Sequence, residues 1–376
     1  MARLAIIDDA ICDNFLSQPV SERYCLRNNM FVKKNLCENN EMSHGTLVAK
    51  VLEQYAINYE IISVQIIDNW FQSRRCSSDL LKKALDFCAE LDCDAINISL
   101  GTKRLSEAIA LLPSLKKVQF AGTPIVAACS NTFHRTIPAA MDEVFGVICD
   151  LQNELPFGAY AVSPDPYLGT DYIANYAIDF SENAGTRMSN SLATAVVTAK
   201  INNILNQKKC THAELVSELN KDAEKLTIKK ENTSFDSMKP TTIPTVYLVD
   251  ILASEKDKQF ALLDLFAEDG YEVIAASDID GLSDARFLKL SNLGSNAFAE
   301  LQNRICTCAK VDLAIVFAPA EWVIQLNWIG FDKESALFVC NNDELIAQFA
   351  APTELQYKVF GKGNVYCLYK QLRKYL

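Results

Sequence analysis

Four side chains of this 376-residue chain have the types and the chain order of an acyl-transfer site. Asp8 ends the apolar run LAIID (4–8), and His44 opens a helical stretch in SHGTLVA. Asn131 follows PIVAAC (124–129) in AACSN, and Ser191 lies in GTRMSNSLATA (185–195). A serine hydroxyl is a weak nucleophile until an imidazole takes its proton. The imidazole in turn needs a carboxylate to hold its tautomer and stabilise its charged form. Asp, then His, then Ser is one of the chain orders in which such a triad is built. An asparagine amide can donate to the oxyanion that forms when the hydroxyl attacks a carbonyl. Singly, each residue has a plainer reading: Asp8 or its neighbour Asp9 as a helix cap, His44 as a structural imidazole, Asn131 as a turn residue, Ser191 as a helix N-cap. Their joint occurrence at the ends of predicted elements favours the chemistry.

The elements that would position them alternate. LAIID (4–8), EIISVQII (60–67), DAINISL (94–100), PIVAAC (124–129) and EVFGVIC (143–149) are short apolar, β-branched runs. HGTLVAKVLEQYA (44–56) and SSDLLKKALDFCAEL (77–91) lie between them, with apolar residues at three- and four-residue spacing. Continuous apolar strands separated by helices predict a parallel sheet covered on both faces. Open sheets of this kind collect their functional groups at the carboxyl ends of strands, so the four candidates are expected to converge there. Helices follow from about Ser191 to Leu205 and from about His212 to Leu226.

KKENTSFDSMKPTTIP (229–244) is polar, contains two prolines and has no periodicity, so it reads as a linker. Beyond it a second alternating unit begins, with strands at TVYLVDI (245–251), YEVIAAS (271–277), VDLAIVFA (311–318) and SALFVCN (335–341). The expected architecture is therefore a larger α/β domain over 1–228 and a smaller three-layer α/β domain over 245–376. The second has neither GxGxxG nor GxxxxGK after its first strand, and the glycines of FGKGN (360–364) read as a hairpin turn. Sequence alone assigns it no chemistry.

Composition narrows the partners. A formal net charge of −11, without a basic run, argues against nucleic acid. The 13 cysteines are scattered, no CxxC pair occurs and there are only three histidines, so no zinc pattern can be assembled and no metal or other cofactor is expected. Cys129, beside Asn131, reads as an inert buried thiol and His134 and His212 as structural or exposed. The apolar run in MARLAIIDDAICD is too short for a signal-peptide core, and nothing reaches the length of a membrane span. Reduced thiols in a cytoplasmic chain are the expectation.

With these residues in view, the first roughly 225 positions resemble a subtilisin-like serine protease (a subtilase). The family's Asp motif is matched by AIIDDAI at Asp8, and its His-Gly-Thr-x-Val-Ala motif by His44-Gly45-Thr46-Leu47-Val48-Ala49. Its Asn-Met-Ser-Leu-Gly segment is matched by Asn97-Ile98-Ser99-Leu100-Gly101, and its Ala-Ala-Gly-Asn segment by Ala128-Cys129-Ser130-Asn131. The Tyr-Pro-Ala stretch has a counterpart in Ile137-Pro138-Ala139. The resemblance implies a three-layer fold with a central parallel sheet. It also implies a triad of Asp8, His44 and Ser191, an oxyanion donor at Asn131, and a substrate peptide lying along Ser99, Leu100, Gly101 and Ser130.

The nucleophile motif, Gly-Thr-Ser-Met-Ala-Thr/Ser-Pro-His-Val-Ala-Gly, fits in two registers. One puts Arg187 in the serine position after a good Gly185-Thr186 match, and leaves no nucleophile. The other puts Ser191 there, followed by the small residues Ala193, Thr194, Ala195, Thr198 and Ala199 that a helix buried in the domain centre needs. The second register is preferred, which makes GTR a turn that mimics the motif.

Departures from the family remain. Ala10, Ser130 and Ala195 replace two glycines and a proline, and Asp8 follows the first methionine almost immediately, so the expectation is a protease without a propeptide. A protease unguarded in the cytosol must be selective, so the expected substrate is one dedicated peptide, as in bacterial systems that remove leaders from ribosomal peptides. A homo- or hetero-oligomer with another protease subunit is a possible partner state. The competing reading is a pseudoprotease that keeps the groove as a peptide-binding or scaffold subunit, which the Arg187 register would favour.

Overall fold

The segment ARLAIID is buried at all but one position, and a strand apolar on both sides must lie inside a sheet covered on both faces. In the computed structural model it does. Described are residues 1–35, 42–67, 77–165, 167–177, 189–225, 243–279, 284–290, 297–324, 333–341, 343–348, 356–359 and 363–376. The chain forms two compact units, one of Met1–Thr102, Ile109–Asp165 and Gly169–Ile228, the other of Lys103–Ala108, Pro166–Leu168 and Lys229–Leu376.

The first unit runs β1 (Ala2–Asp8), β2 (Glu22–Arg27), β3 (Met30–Lys34), α1 (His44–Tyr55), β4 (Tyr59–Gln65), α2 (Ser78–Cys88), β5 (Ala95–Ile98), α3 (Ala108–Phe120), β6 (Ile125–Ala128), β7 (Phe145–Cys149), β8 (Tyr160–Asp165), β9 (Thr170–Ala174), α4 (Asn190–Leu205) and α5 (His212–Asp222). Its strands order as β3-β2-β4-β1-β5-β6-β7-β9-β8. All neighbours are parallel except the edge hairpins β2–β3 and β8–β9, which the apolar runs did not predict. The expected α/β class with a central parallel sheet is thus the observed one.

Helix α4 organises this unit. From Asn190 to Ala199 every side chain is buried, and Ala193, Thr194, Ala195 and Ala199 are small enough to let the helix lie against β5, β6, β7 and α1 at once. Leu4, Ile6, Val48, Leu52, Val126, Val147 and Val196 belong to one core cluster. Burying a single such side chain contributes about 1.5–3 kcal/mol.

The second unit runs β10 (Thr245–Val249), α6 (Lys256–Glu268), β11 (Val273–Ser277), β12 (Phe287–Lys289), α7 (Ala297–Cys308), β13 (Leu313–Ala318), α8 (Ala320–Ile324), β14 (Ala336–Cys340), α9 (Asp343–Gln348), β15 (Gln356–Val359) and α10 (Val365–Leu372). Its six strands, ordered β12-β11-β13-β10-β14-β15, are all parallel. The hairpin reading of FGKGN is therefore corrected. Parallel strands cannot be closed by a tight turn, and Asn364 instead caps α10 by accepting the Cys367 N–H at 2.9 Å. Residues 360–362 of that stretch, and 229–242 of the expected linker, lie outside the described residues. Among the described residues no helix is long and apolar enough to cross a membrane.

Candidate active site

Strand β1 carries Asp8 to the carboxyl end of the sheet. The parallel pairing of Ile7 with Ile98 brings it alongside Ser99, the first residue after β5. His44 is the first residue of α1, and the sequence around it builds that helix start locally. Ser43 is extended, and its Oγ accepts the Thr46 N–H at 3.1 Å. Thr46 Oγ1 in turn accepts the Cys12 N–H at 2.9 Å, tying the helix start to the loop after β1. Asp9 completes the cap: its carboxylate accepts the Gly45 N–H at 2.7 Å and the His44 N–H at 3.3 Å. A Cβ at Gly45 would come within 2.9 Å of the Asp9 carbonyl oxygen and 3.2 Å of Asp8 Cβ, so only glycine admits this approach.

The backbone so fixed puts His44 Nδ1 at 2.9 Å from both carboxylate oxygens of Asp8. Asp8 is fully buried, and its Oδ1 also accepts the Asp9 N–H at 2.8 Å. A carboxylate accepts and does not donate, so Nδ1 is the donor of this contact, which is the tautomer in which a neutral imidazole carries its lone pair on Nε2. The adjacent acids therefore divide their tasks: Asp8 holds the ring and Asp9 the helix.

Ser191 lies in the first turn of α4 and is buried. Its hydroxyl donates to the Ser99 carbonyl at 3.3 Å. Thr194 Oγ1 donates to the Ser191 carbonyl at 2.6 Å, Thr198 Oγ1 to the Thr194 carbonyl at 2.9 Å, and Asn97 Nδ2 to Thr198 Oγ1 at 2.9 Å. This chain of bonds locks the helix onto β5. First-turn N–H groups have no acceptor within their own helix, so the Ser191 N–H and the positive end of α4 are available to an anion. Arg187, the rival in the other register, lies outside the described residues.

Asn131 stands in the loop after β6. Its Oδ1 accepts the backbone N–H of Asn190 at 2.8 Å. The other end of the amide, Nδ2, donates to no residue among those described. Ser99 and Leu100 are buried and Gly101 is exposed. The backbone amides of Leu100 and Gly101 bond to nothing among the described residues, and Thr102 pairs with Ile137 through two bonds of 2.8 Å. Ser130 is engaged in its own loop: its N–H donates to Thr136 Oγ1 at 3.0 Å, its carbonyl accepts from Asn190, and its Oγ pairs with Thr132 Oγ1 at 2.9 Å.

Asn190 is the residue that sequence reasoning missed. It stands next to Ser191 in the chain, is 1% exposed, and its carboxamide bonds three backbone groups at the ends of β6 and β7. Outside this cluster, Cys129 is buried with its thiol on the His134 carbonyl at 3.3 Å. His212 stacks on Phe145 at 4.7 Å, and burial lowers its pKa.

No protein-family model matches this chain, and no curated protein matches it. Solved structures do. A psychrophilic protease matches with a TM-score of 0.46 at 18% identity, over 58% of this chain and 82% of that one. The epidermin leader peptide processing serine protease EpiP from Staphylococcus aureus matches at 0.43 and 17%, over 59% of this chain and 67% of that one. The nisin leader peptidase NisP from Lactococcus lactis matches at 0.42 and 14%, over 60% and 83%.

Proposed function

We propose that the chain is a subtilisin-like serine endopeptidase with Ser191 as nucleophile, His44 as general base and Asp8 as the carboxylate behind it. The observation that carries the reading is the buried Asp8–His44 pair, with Nδ1 held at 2.9 Å from both oxygens, at the same sheet end as a buried serine on a helix N-terminus. His44 Nε2 takes the hydroxyl proton as Ser191 Oγ bonds to the scissile carbonyl carbon. Asp8 stabilises the imidazolium, which then protonates the departing amine. Asn131 Nδ2 and the Ser191 N–H donate to the oxyanion, each such donor contributing about 3 kcal/mol in the transition state. The amides of Leu100 and Gly101, which bond to nothing among the described residues, suit an extended peptide added as a strand.

The substrate we infer is a ribosomal precursor peptide that this protease matures in the cytoplasm by leader removal. In this reading residues 1–228 carry the bond-breaking groups, and the domain over 245–376, joined by the linker, holds the distal part of the substrate or a partner subunit. A fluorophosphonate probe tests the core of it: attachment at Ser191, abolished in His44→Ala, is the expected result. No labelling of the folded protein would reject the enzyme. One observation favours a second reading, a peptide-binding pseudoprotease: the Ser191 hydroxyl is engaged with the Ser99 carbonyl. The same labelling experiment separates the two.

A further inference from the structure

The pairing of β6 with β7 ends at Ala128 and Val147, so the Cys149 N–H and the carbonyls of Cys129 and Ser130 lie past its last pair and take partners from elsewhere. The Asn190 side chain supplies them. Its Oδ1 accepts the Cys149 N–H at 2.8 Å, and its Nδ2 donates to the carbonyls of Cys129 at 3.2 Å and Ser130 at 2.9 Å. Both of its N–H donors are therefore used and one side-chain lone pair is filled, inside a site 1% exposed to solvent. The backbone N–H of the same residue donates to Asn131 Oδ1 at 2.8 Å. Asn190 thus holds the segment that carries Asn131 with its side chain, holds the Asn131 amide itself with its backbone, and is covalently next to Ser191.

We propose that Asn190 is a positioning residue that sets the geometry of the oxyanion hole. This rests on Ser191 and Asn131 acting as proposed above. The two oxyanion donors come from different elements, a loop after β6 and the first turn of α4, and a shift of a few tenths of an ångström between them would spoil a two-donor site. The Asn131 side chain is exposed, and without the Asn190 N–H it would rotate among its rotamers in water. A hydrophobic residue of similar size at 190 would fill the space but remove the acceptor of the Cys149 N–H and a donor to each of the Cys129 and Ser130 carbonyls. Small hydroxyl side chains cannot span from Cys149 to both Cys129 and Ser130. The carboxamide is the neutral group that accepts on one side and donates twice on the other.

The test uses the full-length protein and two probes that transfer a group to the serine hydroxyl, a fluorophosphonate (phosphonylation with loss of fluoride) and p-nitrophenyl acetate (acetylation with loss of p-nitrophenolate), at a temperature where circular dichroism shows each variant folded. Asn190→Ala is expected to lower kcat roughly 10- to 100-fold with KM changed little, since the donors act mainly in the transition state. The decisive readout is coupling. In an Asn131→Ala background the same substitution should cost less than about 3-fold, because the hole it positions is already broken. Asn190→Ser, which keeps a hydroxyl for one carbonyl, is read by the same two criteria and serves if the alanine variant does not fold. Near-wild-type kcat in either folded variant, or losses that multiply with Asn131→Ala, would overturn the assignment. Absence of wild-type labelling at Ser191 would instead reject the underlying protease reading, so the two failures are distinguishable.

Discussion

The hydroxyl of Ser191 donates to the backbone carbonyl of Ser99 at 3.3 Å, across 92 residues of sequence. That bond joins the first turn of α4 to the end of β5, and Ser99 itself lies alongside Asp8 through the pairing of β1 with β5. The carboxylate–imidazole pair and the buried serine therefore share one end of one sheet. Had the nucleophile position fallen on Arg187, no hydroxyl would stand there.

Ser191→Ala is expected to abolish both fluorophosphonate labelling and peptide hydrolysis while leaving the thermal transition in place, since it deletes one hydroxyl. Arg187→Ala should retain labelling. Loss of labelling in Arg187→Ala but not in Ser191→Ala would show that the register is wrong.

Substitutions at Asp8 and Asp9 should separate by kind. Asp8→Asn removes the acceptor that fixes the imidazole tautomer and should lower kcat by about 10⁴-fold with a near-normal melting temperature. Asp9→Ala strips the cap from the His44 and Gly45 N–H groups and should cost about 1–3 kcal/mol of stability, read by denaturant unfolding. Equal stability losses in the two variants would contradict the division of tasks.

Asn131→Ala should lower kcat by roughly 10²–10³ with KM changed little, a magnitude carried over from a subtilisin. Steady-state kinetics on any cleaved peptide decides it. An unchanged kcat would mean that another group fills the oxyanion hole.

The domain over 245–376 should matter for long substrates and not for bond breaking. A protein ending near residue 240 is expected to label at Ser191 and to cut short peptides about as well as the full chain. It should lose most of its kcat/KM on a precursor peptide with its leader attached, because remote binding energy and local concentration are gone. Aggregation, or equal losses on short and long peptides, would leave this domain a stabilising role only.

Much of the architecture is legible because its signals are local. The apolar runs at 4–8, 60–67, 94–100, 124–129 and 143–149 coincide with β1, β4, β5, β6 and β7, since a strand buried on both faces has no choice but to be apolar throughout. The start of α1 is written within a few residues, by Ser43, Thr46 and the room that Gly45 leaves. The edge hairpins β2–β3 and β8–β9 were not legible: they are half-exposed, carry charged residues, and their pattern is set by which face meets water.

By itself, then, the sequence determined the class of sheet, its central strands β1, β4, β5, β6 and β7, and the candidates Asp8, His44, Asn131 and Ser191, because each sits in a contiguous motif at an element end. Only the tertiary structure decided which groups each of them bonds. The Asp8–His44 contact spans 36 residues, and the Asn190 bonds reach strand ends 41 and 61 residues away. An isolated Asn beside a serine carries no mark of which backbone groups will be left unpaired where two distant strands part. That information exists only once β6, β7 and α4 have packed, because a hydrogen bond is specified by position in space and not by separation along the chain.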